Sequence, residues 1–151
     1  MLNIDAEKRE FVQRLFQCLT VSIRPLRVDE LANALAVKLN SEALLSACSG
    51  LITIANVHGS QVVQFSHFSV KEFLTSELLA TMESELSWHR ILLGPAHTVM
   101  AKACVSILVK LDDSVEKMTI KNTPFALYAA RHWIEHAQFH QEKPPALARV
   151  S

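Results

Sequence analysis

The chain has 151 residues, half of them apolar and a fifth charged, enough for one domain with a real core or two small helical subdomains packed together. Fifteen basic and fifteen acidic side chains cancel, which argues against a general nucleic-acid binder and against a polybasic membrane anchor. The charged start (Asp5, Glu7, Lys8, Arg9), the lack of a stretch near the roughly 20 apolar residues of a membrane span, and three scattered cysteines predict a cytoplasmic chain with Cys18, Cys48 and Cys104 as buried thiols.

In chain order, Phe11, Leu15 and Leu19 fall at helical spacing within residues 6–19, widened by Val12 and Phe16. Arg24-Pro25 closes that segment, because the residue before a proline avoids helical angles. A second short helix is predicted over Asp29 to Val37 and a third over Glu42 to Cys48, capped near Asn40-Ser41 and terminated at Gly50. The period then changes to the β-branched Leu51-Ile52-Thr53-Ile54, a turn at His58-Gly59-Ser60, and an alternating run from Gln61 to Ser66. Three short helices followed by a β-hairpin is the order of a winged helix, and residues 6–81 are assigned to one.

The remainder reads as helical. Gly94-Pro95 opens a helix in which Ala96, Val99, Met100, Ala103, Cys104, Ile107, Leu108 and Leu111 keep the 3.6 period. Thr123-Pro124 opens another, with Ala126, Ala129, Ala130, Trp133, Ile134 and Ala137 expected on its buried side. Residues 82–143 therefore form a solenoid-like helical subdomain, and 144–151, behind Pro144-Pro145, a disordered tail. The fold class is mainly α with a small β-hairpin.

The most informative ten residues are 65–74, where a strand hands over to a helix predicted to run over 70–81. Ser69 and Glu72 make the S-x-x-E pattern of a capping box. His67 lies just before it, where the free amides of a helix start attract an anion.

Catalytic chemistry finds little support. The predicted third helix carries Glu42 and no arginine or lysine, so its residues do not suit the major groove, and the wing tip His58-Gly59-Ser60-Gln61 does not suit phosphates. His132-Trp133-Ile134-Glu135-His136 matches one metallopeptidase pattern, with His140 a turn further on. With Trp133 and Ile134 taken as the buried pair, these histidines are expected on solvated flanks, and no metal is assigned. There is no G-x-S-x-G elbow, and Gly50, Gly59 and Gly94 cannot build a phosphate-cradling loop. The chain reads as a non-enzyme without cofactors.

Three motifs in register carry a family resemblance: Ser22-Ile23-Arg24-Pro25-Leu26-Arg27-Val28-Asp29-Glu30-Leu31-Ala32, Ala47-Cys48-Ser49-Gly50-Leu51, and His67-Phe68-Ser69-Val70-Lys71-Glu72-Phe73-Leu74. They resemble the winged-helix region that follows the NACHT nucleotide-binding domain in fungal ankyrin-repeat proteins, a module also known from GPI inositol-deacylase-like proteins. Ala96-His97-Thr98, Leu111-Asp112-Asp113 and Tyr128-Ala129-Ala130-Arg131-His132-Trp133 resemble the helical stretch that joins this module to the repeats. The resemblance implies a regulatory part of a STAND-type signalling ATPase, with an upstream NACHT domain or another protein as partner. ADP or ATP would be reached only through that domain, with His67 as its phosphate sensor; otherwise His67 only caps the helix or packs beneath the wing. Neither a Walker A loop nor ankyrin repeats occur in the chain. The alternative is a winged-helix nucleic-acid binder.

Overall fold

A computed structural model describes residues 2–48, 50–81, 89–113 and 122–139. The elements are α1 (Leu2–Val21), β1 (Leu26–Arg27), α2 (Val28–Leu35), α3 (Ser41–Ala47), β2 (Ile52–Val57), β3 (Ser60–Phe65), α4 (Phe68–Thr75), α5 (Glu77–Thr81), α6 (Leu93–Asp113) and α7 (Ala126–Phe139). The expected junction at residue 82 and the tail at 144–151 lie outside the described residues.

The sheet has three antiparallel strands in the order β1-β3-β2, one more than the predicted hairpin. Strands β2 and β3 pair from Ile52↔Phe65 to Val57↔Ser60. A two-residue loop joins them, with His58 (φ 49°) and Gly59 (φ 82°) both left-handed. Two such residues give the turn whose twist matches its flanking strands, which is why a glycine stands there. The added strand β1 pairs Leu26↔Val63 and Arg27↔Val62.

Strand β1 runs straight into α2, whose start is held by half of a capping box. The Glu30 carboxylate accepts the Arg27 backbone N–H at 2.9 Å. The reciprocal half cannot form, because a guanidinium has no acceptor. Arg24 grips the same carboxylate with two nitrogens, at 2.9 and 2.7 Å, although Glu30 is only 2% exposed. Burial would raise the Glu30 carboxyl, but hydrogen bonds from Arg24 and Arg27 and their charges hold it below the ordinary carboxylate range. Helix α2 stops two residues earlier than predicted, because Ala36 turns left-handed (φ 57°) and closes the end with bonds to Ala32 and Asn33 carbonyls.

One core serves the described residues. Leu15, Phe16 and Cys18 of α1 are fully buried, as are Met100 and Cys104 of α6, and α1 packs directly on α6. Helix α6 buries the face that its period predicted. Helix α7 lies antiparallel to it, since His97 near the start of α6 meets His136 and Phe139 near the end of α7. Long-range polar ties add to the packing: Phe125 N–H donates to Asn33 Oδ1 at 3.0 Å, and Gln13 Nε2 donates to the Arg90 carbonyl at 3.1 Å. Among the described residues no helix is long and apolar enough to cross a membrane.

The face of α7 corrects the expectation. Tyr128 and His136 are fully buried, whereas Ile134 is 47% exposed, Leu127 57%, and Ala130 and Trp133 also face outward. Hydropathy put Trp133 and Ile134 inside. The structure instead buries a tyrosine and a histidine whose polar atoms are paired with one another, which removes most of the penalty for burying them.

Candidate functional site at the strand-to-helix corner

The helix predicted over 70–81 is two helices. Thr75 Oγ1 donates to the Lys71 carbonyl and Ser76 Oγ to the Phe73 carbonyl, while Ser76 adopts extended backbone (ψ 153°) between α4 and α5. Adjacent hydroxyls that bond nearby carbonyls compete with the helix ladder, and the chain breaks there.

The cap also differs from the S-x-x-E reading. Helix α4 begins at Phe68, so Ser69 already lies inside the first turn, and the cap is His67 itself (φ −156°, ψ 149°). Its Nδ1 accepts the Ser69 N–H at 3.2 Å and sits 2.9 Å from Ser69 Oγ. Nδ1 lies as many bonds from Cα as the Oδ1 of an asparagine, which explains why an imidazole can fill an N-cap position. Glu72 is exposed and its carboxylate caps nothing at the corner among the described residues. Ser69 and Glu72 are therefore not a capping box; Ser69 is the residue that is capped.

This arrangement fixes the chemistry of the ring. With Nδ1 accepting, the proton of neutral His67 sits on Nε2. That N–H has no partner among the described residues, and the residue is exposed. Phe68, 70% exposed, lies beside the imidazole with ring centroids 4.4 Å apart. A hydrogen-bond donor and a bare aromatic ring thus stand together at the end of β3.

Helix α3 sits where a winged helix reads DNA. Asn40 Oδ1 caps it by accepting the Ala43 N–H at 2.8 Å, and Ser41 Oγ meets Gln61 Oε1 of β3 at 2.7 Å. Its exposed positions are Glu42, Ala43, Leu45 and Ser46, so no cation faces a phosphate. The metallopeptidase pattern does not converge either. His132 Nδ1 pairs with Glu135 Oε1 at 2.8 Å, while His136, expected on a solvated flank, is buried with both ring nitrogens engaged. His140 lies outside the described residues, among which no cluster of three metal-ligating side chains occurs. The thiols are buried and free, and burial pushes Cys48 up to about 11 and Cys18 and Cys104 to about 12, so none is poised as a nucleophile.

An α1-β1-α2-α3-β2-β3 order with β3 central is that of a winged helix, here one whose third helix lacks a cation. The chain belongs to the GPI inositol-deacylase winged helix domain family, whose model matches residues 1–88. It is also 30% identical over 156 residues to the azaphilone pigments biosynthesis cluster protein L of Monascus ruber, an alignment covering 90% of this chain and 33% of that protein. The chain thus spans about a third of the length of this curated relative. No solved structure matches it.

Proposed function

We propose that this chain is a non-catalytic regulatory and interdomain module of a NACHT-type signalling nucleoside triphosphatase, folding against a nucleotide-binding domain that precedes it in the parent protein. The observation that carries the reading is the state of His67: exposed, with Nδ1 committed to the Ser69 amide and Nε2–H left as an outward donor. A donor fixed by its own cap is preorganised for a phosphate oxygen that another domain brings to it, and exposed Phe68 supplies apolar contact beside it. Contact with the phosphate of bound ADP would favour a closed form, and exchange for ATP would release it, a population shift between two arrangements. The family membership and the resemblance of the motifs support this reading, as does the apolar outer face of α7, which suits a further packed segment.

The test uses the parent ATPase. His67→Ala is expected to speed ADP release about tenfold or more, the value of one lost hydrogen bond to a charged group. Unchanged release from a folded variant would sink the sensor role. For the chain alone, salt-dependent binding to random duplex DNA is expected to be absent; its appearance would favour the nucleic-acid reading instead.

A further inference from the structure

Away from His67, a buried polar chain joins the winged helix to the packed α6–α7 pair. Ile23 N–H, in the turn between α1 and β1, donates to the Tyr128 hydroxyl of α7 at 3.0 Å. That hydroxyl lies 2.8 Å from His136 Nε2, and His136 Nδ1 lies 2.9 Å from His97 Nδ1 of α6. Tyr128 and His136 are fully buried, and His97, stacked on Phe139 at 3.9 Å, is the partly exposed end.

The donors can be assigned by counting. The Tyr128 oxygen already accepts the Ile23 amide, so its own O–H needs an acceptor, and His136 Nε2 is the one at hand. His136 then carries its proton on Nδ1 and donates it to His97 Nδ1, leaving the His97 proton on Nε2. Reversing the direction would strand the buried tyrosine O–H without a partner, which is costly. The chain therefore runs one way, from Ile23 through Tyr128 and His136 to His97.

We propose that this chain is a proton-operated latch, which fastens the α6–α7 pair to the α1–β1 turn while His136 is neutral and lets go when the histidine pair takes up a proton. A proton on His136 Nε2 turns that acceptor into a donor facing Tyr128 and orphans the tyrosine O–H. Among the described residues the new cation has no carboxylate in hydrogen-bond contact, and the charge of Glu135 favours it less than burial opposes it. Facing Tyr128 are, from the turn, Arg24, whose guanidinium lies 5.3 Å from the ring centre and holds Glu30 of α2, with Cys18 of α1 and Cys104 of α6; facing His136 are His97 of α6 and, from α7, His132 and Glu135, paired with each other. Burial, then the charge of His97, pulls His136 down to about 4, and burial also lowers His97 and raises the tyrosine. Entry is from the solvent side, through His97.

The latch stands on the junction itself, not on the sensor role of His67. Two measurements on the whole chain test it. Long-range nitrogen NMR of the imidazoles at pH 7 is expected to show His136 neutral and protonated on Nδ1; a proton on Nε2, or ordinary titration near 6.5, would overturn the assignment. Hydrogen-exchange protection of the Ile23 amide, corrected for intrinsic rates, is expected to fall about tenfold or more between pH 7 and 5, while that of Val63 in the wing stays. In Tyr128→Phe the Ile23 amide should be unprotected already at pH 7, with no further pH dependence. Equal loss at Ile23 and Val63, or none at Ile23, would refute the latch.

Discussion

Helices α6 and α7 are neighbours with equally regular apolar stripes in the sequence, yet they use them in opposite directions. Helix α6 turns Ala96, Met100, Cys104 and Ile107 into the core, whereas α7 turns Leu127, Ala130, Trp133 and Ile134 away from it. What α7 buries is Phe125 just before it, two alanines, and the Tyr128–His136 pair. The difference teaches that an apolar stripe marks a face needing cover without saying which body covers it. In α6 the cover is α1 on one side and α7 on the other; in α7 the core side is taken by aromatic polar groups that satisfy one another, and the stripe is left outward.

The comparison breaks most visibly in the core. Met100→Ala is expected to cost about 2–5 kcal/mol in denaturant unfolding, the usual range for emptying a packed site. Tyr128→Phe comes next, at about 1–3 kcal/mol, because it leaves the Ile23 amide and His136 Nε2 without a partner. Acid sharpens the contrast. His136 has an ordinary value near 6.5 and about 4 when folded, so the unfolded chain binds more protons between those limits, and the stability it contributes is whole above 6.5 and lost as pH falls towards 4. Glu30, held low, begins to lose its contribution only below the ordinary carboxylate value, so thermal scans between pH 6.5 and 5 read the histidines with little from Glu30. His67→Ala should cost roughly 0.5–1 kcal/mol by chemical denaturation, the worth of a helix cap; a loss of several kcal/mol would make His67 a core support and not a sensor. Smallest of all, Ile134→Ser should move stability by no more than about 0.5 kcal/mol. A loss above 2 kcal/mol would mean that the α7 stripe faces inward after all.

The elements that could be read in the sequence are those where one signal dominates. The wing turn was visible because His58-Gly59 needs left-handed backbone, and α6 because every inward position is apolar. Strand β1 was not visible: two residues hold no period, and Leu26-Arg27 becomes a strand only because β3 lies alongside. The break between α4 and α5 was missed because Thr75 and Ser76 act through hydroxyl bonds that hydropathy does not register. At the corner the S-x-x-E pattern points to Ser69 as the cap, and only the alternative reading of His67 gives it that part, because hydroxyls and carboxamides are the commoner N-cap acceptors. The Tyr128–His136–His97 chain left no sequence signal beyond histidines at helical spacing, which hydropathy assigned to the surface.

The position of the three thiols gives the molecule a built-in clock for its own opening. Cys18 and Cys104 lie on the packed faces of α1 and α6, and Cys48 closes α3 inside the winged helix. All three are buried with thiols held well above neutral, so an alkylating reagent meets almost no thiolate until something parts. Which cysteine is labelled first then times the separation of one seam against the other: Cys18 and Cys104 report α1 leaving α6, and Cys48 reports the third helix lifting from the wing.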